Sequence, residues 1–115
     1  MKQIKTQSDL DAFKASDELI KIVQDEYAML HEIKDYDPNS YGYIVIIEYG
    51  DTAKDFKKQF GRNLDELTWD GLVLTQNIWI GLTLCNNQFG FTVIIPNADW
   101  LSPRVRNKLK KEITV

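Results

Sequence analysis

The chain has 115 residues, 43% hydrophobic and 27% charged, with a formal net charge of −3 at pH 7. That length makes one domain with room for a real hydrophobic core. A single cysteine excludes an internal disulfide framework, and the polar start MKQIKTQSDL lacks an apolar signal core, so a cytoplasmic protein is expected.

Ser8 followed by Asp11 reads as a capping box that opens a helix. Leu10, Phe13, Ile20, Val23, Tyr27, Leu30 and Ile33 then recur at helical spacing, with charged residues between them. Ser16 before Asp17 is a second cap, so a short helix precedes a longer one, and Pro38 ends it because the residue before proline avoids helical angles. Asp35, Asp37 and Asn39 imitate the opening of an EF-hand loop. The positions that need glycine and a bidentate glutamate hold Ser40 and Ile46, so no metal is expected there.

Residues 42–49 (GYIVIIEY) are a strand by their β-branched and aromatic content, apolar enough on both faces to be covered on both sides. Asp51 is placed to cap a helix that turns Ala53, Phe56 and Phe60 inward and stops at Gly61. Asn63 with Glu66 marks a further short turn.

From Gly71 to Ala98 there is no Lys, Arg, Asp, Glu or His. Gln76, Asn77, Asn86, Asn87 and Gln88 interrupt this stretch well short of the ~20 apolar residues of a membrane span. Asn86-Asn87 suits a two-residue hairpin turn, and Gln76-Asn77 a second. The register that follows pairs Leu84 with Phe89, Leu82 with Phe91, Ile80 with Val93 and Ile78 with Ile95 on one core face. The other face pairs Cys85 with Gln88, Thr83 with Gly90, Gly81 with Thr92 and Trp79 with Ile94, and sets Leu74 against Trp79 and Leu72 beside Gly81. Ser102-Pro103 opens a last helix with the apolar stripe Val105, Leu109 and Ile113.

The expected fold is α+β, one domain over 1–115. It has a mixed or antiparallel sheet of about four strands (42–49, 72–75, 78–85, 88–95), with strand 42–49 central. N-terminal helices, a crossover helix and a C-terminal helix pack on it.

Charge decides among function classes. Residues 1–70 hold 9 basic and 15 acidic side chains, and residues 99–115 hold 5 and 2. An acidic body of this kind repels phosphate backbones and steers basic partners. The basic run 104–111 complements the dipole at a helix C-terminus. No HExxH, CxxC, P-loop or GxGxxG pattern is present, so no cofactor or metal is expected. The leading expectation is a noncatalytic protein-binding module of inhibitor, antitoxin or immunity type. It would present Glu48, Asp51, Asp55, Asp65, Glu66, Trp69, Asp70, Asp99 and Trp100 to a basic protein, and a homodimer is compatible with it. A second expectation is a small-molecule face built from Trp79, Gly81, Thr83, Cys85, Gly90 and Thr92, where strand glycines permit close approach. A third is an enzyme using His31, Cys85 or paired carboxylates, which requires those groups to converge.

Overall fold

The computed structural model describes residues 1–33, 37, 43–61, 68–75, 78–85 and 88–113. Its elements run β1 (Lys2–Ile4), α1 (Gln7–Ala12), α2 (Asp17–Leu30), β2 (Ile44–Ile46), α3 (Ala53–Phe60), β3 (Thr68–Thr75), β4 (Ile78–Cys85), β5 (Gln88–Ile95), a 3-10 turn (Ala98–Trp100) and α4 (Pro103–Glu112). The class is α+β, with a mixed sheet in the order β1-β2-β5-β4-β3. Strand β2 pairs antiparallel with β1 and parallel with β5, while β3, β4 and β5 form an antiparallel meander. Helix α3 therefore carries the chain from β2 across to the far edge at β3. The meander then returns and lays β5 into the gap beside β2.

Local chemistry sets the helix ends. Thr6, two residues before the expected Ser8, caps α1 in a reciprocal box: its hydroxyl accepts from the Asp9 amide at 3.2 Å and the Asp9 carboxylate accepts from the Thr6 amide at 3.1 Å. Ser16 caps α2 as expected, and the helix stops at Leu30, well before Pro38. Thr52, not Asp51, caps α3 in a second box with Asp55, and Gly61 ends it with a left-handed φ of 77° that a side chain would resist. Ser102 caps α4, with Pro103 in its first turn. Asn63 and Glu66, Asp35 and Asn39, and Pro38 itself lie outside the described residues.

The sheet separates two cores. On one face Ile4, Ile44, Ile46, Ile78 and Ile94 pack with Phe13, Leu19, Val23 and Leu30 from the α1–α2 region. On the other, Val45, Ile47, Leu72, Trp79, Val93 and Ile95 pack with Phe56 of α3 and with Leu101, Val105 and Leu109 on and before α4. Strands β2 and β5 thus bury alternate residues in both cores, which explains their near-continuous apolar runs.

The hairpin differs from the simple register in an informative way. Leu84 pairs with Phe89 and Cys85 with Gln88, but beyond a bulge Leu82 pairs with Thr92, Gly81 with Val93, Ile80 with Ile94 and Trp79 with Ile95. One extra residue in β5 moves every later side chain to the opposite face. Val93 and Ile95 therefore leave the face of Ile78 and Ile80 and join Trp79 and Leu72. Ile94 and Thr92 cross the other way, so Thr92 does not share a face with Gly81. The Thr83 hydroxyl repairs the break, accepting from the Phe91 amide and donating to the Phe91 carbonyl, each at 3.1 Å. These are the backbone groups a bulge leaves without a ladder partner. The β3–β4 ladder has its own irregularity between Trp69 and Gly71, again opposite Thr83. Leu72 pairs with Gly81 and Leu74 with Trp79, as the turn predicts.

Candidate functional site

The parallel strands β2 and β5 end on the same side of the molecule, the place where ligands of open α/β sheets commonly sit. Ile47 still donates to the Ile94 carbonyl at 2.9 Å, and the chain then turns through Glu48, Tyr49 and Gly50, whose φ of 92° requires glycine. Asp51 closes the turn. Its amide donates to the Glu48 carbonyl at 3.0 Å, and its carboxylate accepts from the Glu48 amide at 2.7 Å. The same carboxylate meets the Met1 ammonium at 2.9 Å, with the Glu48 carboxylate 3.4 Å from that ammonium. Burial opposes the ammonium charge, but the hydrogen bonds and attraction of Asp51 and Glu48 outweigh it and raise its pKa above the ordinary value. Asp55, in the first turn of α3, has its pKa lowered by the Thr52 amide and hydroxyl that donate to it.

The end of β5 supplies the other half. Asn97 accepts from the Asp99 amide at 2.9 Å and the Trp100 amide at 3.1 Å, which fixes the 3-10 turn. Trp100 then meets Tyr49 edge to face, with centroids 5.8 Å apart and planes at 79°. Tyr49 remains 81% exposed. The Asp99 carboxylate is held by Arg106 of α4 at 3.2 Å.

Two clefts flank Trp100. One of about 190 Å³ is walled by Phe13, Leu19, Ile46, Ile47 and Pro96 and edged by Lys14, Glu48, Tyr49 and Trp100. The other, about 160 Å³, lies between Asp51, Thr52, Trp100, Leu101, Ser102 and Val105. Pockets for drug-sized ligands are larger, roughly 300–1,000 Å³. Each cleft is of the size of one or two amino-acid side chains.

Of the acidic and aromatic residues singled out from the sequence, Glu48, Asp51, Asp55, Asp99 and Trp100 come together at this end of the sheet. Trp69 and Asp70 do not, because they open β3, which starts at the opposite end and on the far edge. Trp69 packs over Gly81, where an added Cβ would lie 2.5 Å from its ring. Asp65 and Glu66 lie outside the described residues. The patch is also less negative than its composition suggests, since Asp51 and Glu48 share an ammonium and Asp99 is matched by a guanidinium.

On the alternative sheet face, Trp79 and Thr83 are buried and Gly81 lies under Trp69 and Leu72. Cys85 and Gly90 are placed by their backbone alone, at the end of β4 and the start of β5. His31, beyond the end of α2, stacks edge to face on Tyr27 at 4.1 Å. Among the described residues, no three His, Cys, Asp or Glu side chains gather as a metal site would require. No described helix is long and apolar enough to cross a membrane.

Sequence reasoning missed Tyr49, which alternation assigned to a strand face. The signal was the following Gly50-Asp51, a turn pair that lifts the preceding residue out of the sheet. It also missed Phe13 and Lys14 as cleft residues, since nothing local announces that the α1–α2 junction meets the end of β2. The chain matches no protein-family model, no curated protein and no solved structure.

Proposed function

We propose that the protein is a noncatalytic protein-binding module that docks through the end of the sheet formed by Tyr49 and Trp100. The observation that carries this reading is Tyr49, 81% exposed yet oriented by its edge contact with Trp100 beside a side-chain-sized apolar cleft. Tyr and Trp are enriched among the side chains that dominate binding energy at interfaces. Glu48, on the rim and 44% exposed in its side chain, favours a partner with an apolar knob next to a basic residue. Inhibition or neutralisation of a basic protein is the form of binding that fits this chemistry.

Affinity capture on the immobilised protein tests the reading. A partner retained by the native chain should be lost with Tyr49→Ala and weakened with Glu48→Gln. Its association should slow as salt rises, because Glu48 steers at the rim. Retention of the same partners by Tyr49→Ala, with the fold intact by circular dichroism, would remove this surface from consideration.

A further inference from the structure

We propose that the outer surface of helices α3 and α4 is a docking face for the phosphate backbone of a nucleic acid. The net charge of −3 hides a segregation across the sheet. Helices α1 and α2, packed on one face, carry six acidic side chains and one basic one. Helices α3 and α4, packed on the other, carry eight basic and two acidic ones. Phe56, Val105 and Leu109 turn toward the core, which leaves Lys54, Lys57, Lys58, Lys108, Lys110 and Lys111 exposed. The two acids are already engaged, Asp55 in the cap of α3 and Glu112 with Lys108 at 3.3 Å. Lys54, Lys57, Lys110 and Lys111 form no ion pair with a described residue.

Helix dipoles account for only part of this charge. They favour cations in the last turn, where Lys57, Lys58, Lys110 and Lys111 lie. Lys54 and Arg104 sit in first turns, where the dipole opposes them, and α4 has no acid in its first turn. An anionic partner outside the helices accounts for that placement. The composition of the face selects the anion. Six of its eight cations are lysine, a residue depleted from protein–protein interfaces but common against phosphate oxygens. Among the described residues of α3 and α4, no large apolar side chain is exposed. The face thus lacks both the anchors of a protein interface and the apolar side that carries a helix into a membrane surface. The acidic helices do not cancel it. The molecule spans at least 31 Å along each principal axis, about four Debye lengths at physiological salt, so a backbone resting on α3 and α4 is shielded from α1 and α2. Repulsion of α1 and α2 orients the approach instead.

Fluorescence anisotropy of a labelled DNA duplex of about 24 base pairs, titrated with the chain between about 25 and 200 mM salt, tests the face. Binding should fall in the ~1–100 μM range of sequence-independent contacts, with a slope of about −4 in log K against log salt, as four or five phosphate contacts require. Lys54→Gln with Lys58→Gln, and Lys110→Gln with Lys111→Gln, should each flatten that slope by about 2 and weaken binding at least tenfold at the lowest salt. Lys21→Glu removes the same two units of charge from the whole chain, but on α2, and should change affinity less than twofold. All five side chains are exposed, so circular dichroism should show the fold unchanged. Vesicles rich in phosphatidylserine and polyglutamate supply the competing anions. No binding to the duplex below about 200 μM at the lowest salt, losses in the α3 and α4 variants no greater than in Lys21→Glu, or tighter binding to vesicles or polyglutamate than to the duplex would each overturn the proposal.

Discussion

Gly81→Ala is a small substitution with a large expected cost. A Cβ at position 81 would lie 2.5 Å from two ring carbons of Trp69 and 2.8 Å from Cδ1 of Leu72. Carbon atoms rest at about 3.5–4.0 Å, so the neighbours must give way by about 1 Å. Leu72 is fully buried and cannot retreat, which leaves the Trp69 ring to move out of its place on the α3–α4 core. Overpacking of this kind costs about 1–3 kcal/mol, offset by about 0.5–1 kcal/mol because alanine orders its backbone more cheaply than glycine in a strand. The expected net loss is about 1–2 kcal/mol. With a urea slope of about 1–3 kcal/mol per molar, the midpoint should fall by about 1 M. Because the two shortest contacts are to the ring, most of the loss should disappear in a Trp69→Val background, which also vacates the space into which Leu72 can shift. Urea unfolding followed by far-UV circular dichroism measures all four corners of this cycle without relying on the Trp69 signal. Equal costs of Gly81→Ala in both backgrounds, within about 0.3 kcal/mol, would refute the assignment of the clash to Trp69.

Three further outcomes follow from the packing and the titrating groups. Thr83→Val keeps the shape but leaves the Phe91 amide and carbonyl without their hydroxyl partner, and should cost about 2 kcal/mol or more, while Thr83→Ser recovers most of it; a Val variant as stable as the native chain would contradict the repair role. Leu109→Ala, at a completely buried site, should cost about 2–5 kcal/mol and speed amide exchange along α4, and a loss under about 1 kcal/mol would mean that α4 is not anchored there. Burial, with Asp25 adding repulsion, raises the Glu26 pKa above the ordinary carboxyl range. Its contribution is therefore present at pH values below its unfolded pKa and lost as pH rises through the folded one, so Glu26→Gln should stabilise the protein at pH 7 and lose that advantage in acid. Thermal unfolding across pH checks the sign, and a Gln variant less stable at pH 7 would reverse the argument.

Period and punctuation carried much of the architecture. Ser16, Ser102 and Gly61 mark helix ends by chemistry that depends on one or two neighbours, and the apolar stripes of α2 and α4 follow from spacing alone. Strand β1 stayed hidden because three residues, KQI, are too few to show a period. The start of α1 was ambiguous in principle, since Thr6 with Asp9 and Ser8 with Asp11 satisfy the same capping pattern. Longer-range pairings were the harder loss. Asp51 resembles a helix cap from its neighbours, and only folding brings it to the ammonium fifty positions away. The β5 bulge was equally out of reach, because alternation without an extra residue gave an all-apolar face that looked complete. Gly90 is the one hint, since a glycine inside a strand signals a break in the ladder as readily as a close approach. The candidate site was therefore half legible: its acids and Trp100 stand out in the sequence, but the separation of Trp69 from them depends on which edge β3 occupies.

The return of β5 into the gap beside β2 also bears on how the protein is made. Val93 and Ile95 complete one core and Ile94 the other, so both stay open until the last strand of the sheet has been synthesised. The partner strand, β2, is translated more than forty residues earlier and waits with both faces of Ile44–Ile46 unsatisfied. A ribosome-bound chain stopped after Cys85 should accordingly be cut readily by protease, and one extended past α4 should resist. The late parallel pairing places the vulnerable interval of folding in the time needed to translate β3, β4 and β5.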